Sequence, residues 1–153
     1  MKFSVSPPLG KLAKWLRILG YDCRYPVVLD DAGDSPGGGD DPTDPEERIY
    51  IVRRHGIRGR PAVFLDQNRW EDQLRLLNLL LPIYENRRSF SRCIECNRPV
   101  ETVSRDEVAD LVPEYVSGVH TEFTRCPVCR KILWPGTHRD NMEGRITRIF
   151  SVS

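Results

Sequence analysis

The chain has 153 residues, 39% of them hydrophobic and 29% charged, with a formal net charge of +1. That is the length of one ordinary domain, or of a small domain with an appended module, and it is enough to bury a core without cross-links. No apolar run approaches the ~18 residues of a membrane span, and the start, Met1-Lys2-Phe3-Ser4-Val5, has no apolar signal region, so a cytoplasmic location without membrane contact is expected.

Phe3-Ser4-Val5 predicts a short strand, ended by Pro7-Pro8. A helix is expected from about Leu9 to Leu19, with Gly20 as its stop. Leu9, Leu12, Ala13, Leu16 and Leu19 form one apolar stripe at helical spacing. Lys11, Lys14, Trp15 and Ile18 fall on roughly the opposite face, where Trp15 is expected to be buried rather than free to stack on a base. Tyr21 to Tyr25 is a candidate second strand, and Cys23 within it reads as a small buried hydrophobe. The character then changes: residues 32–45 hold four Gly, three Pro and four Asp and no large apolar side chain. Such a stretch buries too little to offset its ordering entropy, so a mobile loop is expected there. Arg48-Ile49-Tyr50-Ile51-Val52 predicts a buried strand, and Ala62-Val63-Phe64-Leu65 predicts another that ends at Asp66. Trp70 to Leu81 predicts a helix with Leu74, Leu77 and Leu81 on one face, stopped by Pro82. Strands alternating with helices point to a small α/β sheet domain over residues 1–85.

Residues 86–153 read differently, as a second module. Ser104-Arg105-Asp106-Glu107 is a capping-box pattern ahead of Val108, Ala109 and Leu111. Tyr115-Val116 favours extended structure, and Thr137 is expected to cap a last short helix through Met142. Four of the five cysteines fall in two C-x-x-C pairs, Cys93-Ile94-Glu95-Cys96 and Cys126-Pro127-Val128-Cys129, separated by 29 residues. Each pair places two thiolates on a tight knuckle, followed by a turn at Asn97 or Arg130. Two knuckles together supply the four sulfurs of a structural Zn²⁺ site, although S₄ sites also suit iron. Four thiolates close the coordination sphere, so the expected role is structural. Redox C-x-x-C motifs or free thiols are the alternative.

Charge is unevenly distributed. Residues 1–21 carry four basic and no acidic side chains; residues 22–47 carry nine acidic and one basic; residues 48–63 carry five arginines and no acid. Of the 23 basic residues 19 are Arg, which suits bidentate phosphate contacts. An Arg-rich codon bias gives the same composition.

Several of these motifs together resemble one family. The run from Leu9-Gly10-Lys11-Leu12-Ala13-Lys14-Trp15 to Gly20-Tyr21-Asp22 is similar to the opening helix and turn of the Mut7-C RNase domain. Asp72-Gln73-Leu74 resembles the start of its later helix. Phe90-Ser91-Arg92-Cys93 to Cys96, Val112-Pro113-Glu114-Tyr115-Val116 and the second cysteine pair resemble its zinc ribbon, and Trp134-Pro135-Gly136-Thr137-His138 its closing motif. The resemblance implies a PIN-like parallel sheet with flanking helices over 1–85, followed by a zinc ribbon and C-terminal helix over 86–153. It also implies RNA cleavage with Mg²⁺ or Mn²⁺ held by carboxylates at one end of the sheet, since hard ions take oxygen ligands and activate water.

The chain departs from the family pattern at two of those carboxylates. Ser6 stands where the first strand should end in Asp, and Arg54 stands where a later strand should be followed by Asp. Asp22 matches the family turn. Asp30, Asp31, Asp66 and Asp72 are the residual catalytic candidates, although Asp66, Glu71 and Asp72 equally suit a loop and helix start that serve the helix dipole. Lys11, Lys14 and Arg17, with Arg53, Arg54, Arg58 and Arg60, are candidate RNA-phosphate contacts; a solvated face paired with the acidic segment is the plainer alternative. His138 reads as a capping or packing residue. No nucleophile triad, P-loop or dinucleotide fingerprint is present. Three functions follow: binding of single-stranded RNA with the nuclease weakened or lost, an active Mg²⁺ or Mn²⁺ endoribonuclease using Asp30 or Asp31 with Asp66 and Asp72, or a scaffold for a protein partner.

Overall fold

The structure, a computed structural model, describes residues 1–27, 48–53 and 61–151. The loop expected at 32–45 lies outside the described residues. The chain divides into two compact units, Met1–Asn97 and Arg98–Ser153.

In the first unit, β1 (Lys2–Val5), β2 (Asp22–Arg24), β3 (Ile49–Val52) and β4 (Ala62–Phe64) form a wholly parallel sheet in the order β2-β1-β3-β4. Phe3, Ser4 and Val5 are all buried. Successive residues of a strand point to opposite faces, so β1 is covered on both sides, as a parallel sheet requires. Pro7–Leu9 make one 3₁₀ turn that leads into α1 (Gly10–Ile18). The predicted stripe of Leu9, Leu12, Ala13, Leu16 and Leu19 is buried. Trp15 and Ile18 were expected on the opposite face with the lysines, and they are buried too. The reason is a second neighbour: α2 (Trp70–Leu80) packs on α1, and the Trp15 and Trp70 rings stack with centroids 4.7 Å apart and planes 6° from parallel. Lys11 and Lys14 stay exposed. On α2, Leu74 and Leu77 are fully buried, whereas Leu81 is the extended C-cap and only half-buried.

Gly20 ends α1 with φ +94°, in the left-handed region that disfavours a side chain. The chain returns closely past this point: Arg88 donates its N–H to the Leu19 carbonyl at 2.9 Å, and Phe90 donates to that of Ile18 at 2.8 Å. A Cβ on Gly20 would collide with the Arg88 carbonyl oxygen. Gly20→Ala is therefore expected to destabilise the protein by about 2–4 kcal/mol, from backbone strain and overpacking together. Chemical denaturation checks this, and a loss below about 0.5 kcal/mol, within the range of ordinary surface changes, would contradict the close approach.

In the second unit, β5 (Glu101–Val103), β6 (Phe123–Arg125) and β7 (Ile132–Leu133) form an antiparallel sheet in that order. Its core is small: Val103, Val108, Val116 and Phe123, with Val112, Ile132 and Trp134 partly buried against them. The capping box is formed at α3 (Arg105–Val108), where Glu107 N–H donates to Ser104 Oγ at 3.3 Å and Ser104 N–H to Glu107 Oε2 at 2.9 Å. Two elements differ from expectation. Tyr115-Val116 is helical, within α4 (Glu114–Val119), because Pro113 opens the helix and one buried residue per turn, Val116, anchors it. That packing outweighs a weak β preference. The last helix, α5 (Thr137–Phe150), has 14 residues and runs well beyond Met142, and Gly136 rather than Thr137 is its N-cap. Only Ile146 and Ile149 are buried along it, so its polar sequence shows little apolar period.

Candidate functional site

The four paired cysteines come together. Their sulfurs all lie within 4.8 Å of one another, and none of the cysteines is in a disulfide. A tetrahedral ion with Zn–S bonds of ~2.3 Å sets sulfurs ~3.8 Å apart, so this donor set fits such an ion. The two knuckles are built alike. Asn97 has φ +54° and donates its N–H to the Cys93 carbonyl at 2.9 Å; Arg130 has φ +66° and donates to the Cys126 carbonyl at 2.9 Å. The left-handed residue after each pair is what turns both thiols of that pair to one side. Cys93 and Cys126 are buried, Cys96 is half-buried and Cys129 is exposed.

The first knuckle is tied to the edge of the parallel sheet by groups that sequence reasoning missed. Asn97 Oδ1 accepts from Cys23 N–H at 3.0 Å, and Asn97 Nδ2 donates to Asp22 Oδ1 at 2.8 Å. Arg48, 7% exposed, donates to the same Asp22 oxygen at 2.6 Å, to the Phe3 carbonyl at 2.8 Å and to Ser4 Oγ at 3.2 Å. Burial alone would raise the Asp22 pKa, but hydrogen bonds from Arg48 and Asn97 and the charges of Arg48 and Arg92 reverse this and bring it to about 2. The only hint in the sequence is an arginine at the head of an apolar strand. Cys23 is fully buried, as expected of a small hydrophobe, and burial pushes its thiol up to about 12. Arg17, expected to meet phosphate, instead donates to the Cys23 carbonyl at 2.9 Å and the Ile94 carbonyl at 2.7 Å.

The other end of the sheet has different chemistry. All four strands are parallel, so their carboxyl ends share one edge, the usual ligand edge of such sheets. Ser6 follows β1 there, Arg53 follows β3, and Asp66 lies just beyond β4. Asp22 begins β2 opposite Lys2 and belongs to the amino edge. Asp66 is exposed, and Asp72, in the first turn of α2, pairs with Arg75 at 2.8 Å. Among the described residues, the four cysteines are the only group of three or more Cys, His, Asp or Glu side chains near enough to share an ion. Asp30, Asp31, Arg54, Arg58 and Arg60 lie outside the described residues. Among the described residues this edge offers one hydroxyl, one guanidinium and one exposed carboxylate, whereas a Mg²⁺ or Mn²⁺ site takes several convergent oxygen ligands. Ser6 Oγ is itself buried with no hydrogen-bond partner.

The carboxyl edge opens into a cleft of about 370 Å³. Lys11, Arg53, Asn68, Arg69, Trp70, Glu71 and Gln73 are among its lining residues. Arg53 donates to Asn68 Oδ1 at 2.7 Å, to the Gln67 carbonyl at 3.2 Å and to the Asp66 carbonyl at 3.4 Å. These acceptors are neutral, so they fix the guanidinium without cancelling its charge. Lys14, on the next turn of α1, is exposed outside the cleft, and His138 is exposed in the first turn of α5. No helix among the described residues is long and apolar enough to cross a membrane.

The sequence matches the family model described as the Mut7-C RNAse domain over residues 1–146. No curated protein and no solved structure matches it.

Proposed function

We propose that this chain, which belongs to the Mut7-C RNAse domain family, binds single-stranded RNA at the carboxyl edge of its parallel sheet and has lost or weakened the family's metal-dependent cleavage. A structural Zn²⁺ held by Cys93, Cys96, Cys126 and Cys129 completes the reading. The observation that carries it is the chemistry of that edge. Ser6 and an Arg53 guanidinium with no ion pair among the described residues line the place where a PIN-type nuclease gathers carboxylates. Positive charge there disfavours a divalent ion and favours a phosphate, whose attraction is electrostatic and independent of sequence. Single strands suit the cleft because only unstacked nucleotides enter a pocket.

Incubating the protein with a mixed single-stranded RNA pool tests this. RNA should be retained at low salt, released steeply as salt rises, and left intact in the presence of Mn²⁺. Cleavage with Mn²⁺ by the unaltered protein, abolished by Asp66→Asn, would overturn the reading. It would instead establish an endoribonuclease with a rearranged carboxylate set.

A further inference from the structure

We infer that the cleft at the carboxyl edge is a one-nucleotide subsite, in which Lys11 and Arg53 grip a phosphate and Trp70 walls the attached base. This rests on the RNA-binding reading and deepens it. The cations reach the cleft from different elements, Lys11 from the first turn of α1 and Arg53 from the end of β3. Arg53 is held by three neutral acceptors and Lys11 has no ion pair among the described residues. Lys11 and Arg53 thus line one cavity with two positive charges, opposed there by the single Glu71 carboxylate, which Arg69 faces, and a bound anion offsets the excess. The third cation, Arg69, is mostly exposed and faces Glu71 at 3.5 Å, so it adds little.

Size and stiffness point to the same ligand. About 370 Å³ falls at the small end of ligand clefts, suited to a nucleotide and too small for a duplex. One face of Trp70 is stacked on Trp15, which fixes the ring before any ligand arrives. A fixed aromatic wall loses little freedom on binding, and it accepts any base. Gln73, 4% exposed, donates to the Gln67 carbonyl at 2.8 Å and so braces the turn that carries Asn68 and the Arg53 acceptors.

Tryptophan fluorescence reads the site directly. Hexaadenylate, AMP and adenosine are titrated at low salt into the full chain and into Lys11→Ala, Arg53→Gln and Arg145→Ala variants. Hexaadenylate and AMP should quench, and adenosine should bind at least about tenfold more weakly, since the phosphate supplies the charge contact. Lys11→Ala should weaken hexaadenylate about tenfold and lower the salt slope by about one, while Arg145→Ala, at an exposed position of α5 in the second unit, leaves the slope unchanged. The Lys11 variant alters an exposed side chain, so its result does not depend on how the Arg53 variant folds. Hexaadenylate binding that survives both cleft variants, or that falls equally with Arg145→Ala, overturns the subsite and leaves RNA binding elsewhere on the chain. Adenosine matching AMP also overturns it. Failure of the unaltered protein to bind any RNA overturns the function proposed above along with the subsite.

Discussion

Removing the metal from the four-cysteine site should melt the second unit. Purified protein is expected to carry one Zn²⁺ per chain, and a strong chelator should abolish the cooperative unfolding of residues 98–151. The magnitude follows from how little else holds that unit together. Its main hydrophobic cluster is four buried side chains with three partly buried neighbours, and α5 adds only the buried Ile146 and Ile149; a core of that size supplies at most about 3–5 kcal/mol. Structural zinc contributes on the order of 10–16 kcal/mol in comparable small domains. Cys126→Ser and Cys96→Ser should reproduce the chelator's effect. Cys126 is 1% exposed, yet serine nearly matches cysteine in size, so a collapse there reports lost ligation rather than lost packing. Elemental analysis showing no stoichiometric metal, or a melting curve indifferent to chelation, would refute the site.

The second large effect belongs to Asp22. Asp22→Asn should destabilise the first unit by about 2–4 kcal/mol, because it leaves the Arg48 charge buried without its carboxylate. The Arg48 side chain is 5% exposed and that of Asp22 24%, which places the cost toward the lower part of the range for buried pairs. The effect has a pH signature. Asp22 titrates near 2 in the folded chain against an ordinary value of 3.8. A carboxylate with a lowered pKa contributes stability that is fully present above the unfolded value and is lost as pH falls toward the folded one. Linkage puts that contribution at about 2 kcal/mol. The stability difference between the unaltered protein and Asp22→Asn should therefore be constant from pH 7 to about 4 and shrink between about 4 and 2. Protonation of the cysteines affects both proteins alike and cancels in the difference. A gap that stays constant down to pH 2 would show that the Asp22 charge contributes nothing.

What the sequence disclosed follows from which forces are local. The apolar stripe of α1, the strand runs at Phe3 and Ile49, the capping box at Ser104 and the two cysteine pairs are written in neighbouring residues, and each is found in the structure. Those of the four parallel strands and the cysteine cluster define the α/β fold with a metal site. What escaped was non-local. Nothing near Trp15 announces Trp70 as its stacking partner, and nothing near Arg48 announces Asp22 or Asn97. Arg17 carries the composition of a phosphate contact, yet its use is fixed by carbonyls six and 77 residues away. The cleft was half legible. Lys11 and Arg53 stand out in the sequence by charge alone, but Asn68, Trp70 and Gln73 join them only through the fold.

The strand order has a consequence for how the chain is made. The first strand, β1, lies inside the sheet, with β2 on one side and β3 on the other. Phe3 must find Ile49 across all of α1, β2 and the segment that follows. Closing so long a stretch costs chain entropy before any contact compensates it, which makes the sheet slow to assemble relative to its helices. Until then the emerging Phe3-Ser4-Val5 is an unpaired apolar strand in a growing polypeptide, the kind of segment that associates with other copies. Lys2 on one side and Pro7-Pro8 on the other act as gatekeepers. The charge discourages edge-to-edge addition, and the prolines lack the N–H that would extend a cross-strand ladder. The residues that shape the entry into α1 thus also guard the nascent chain while its partner strand is still being synthesised.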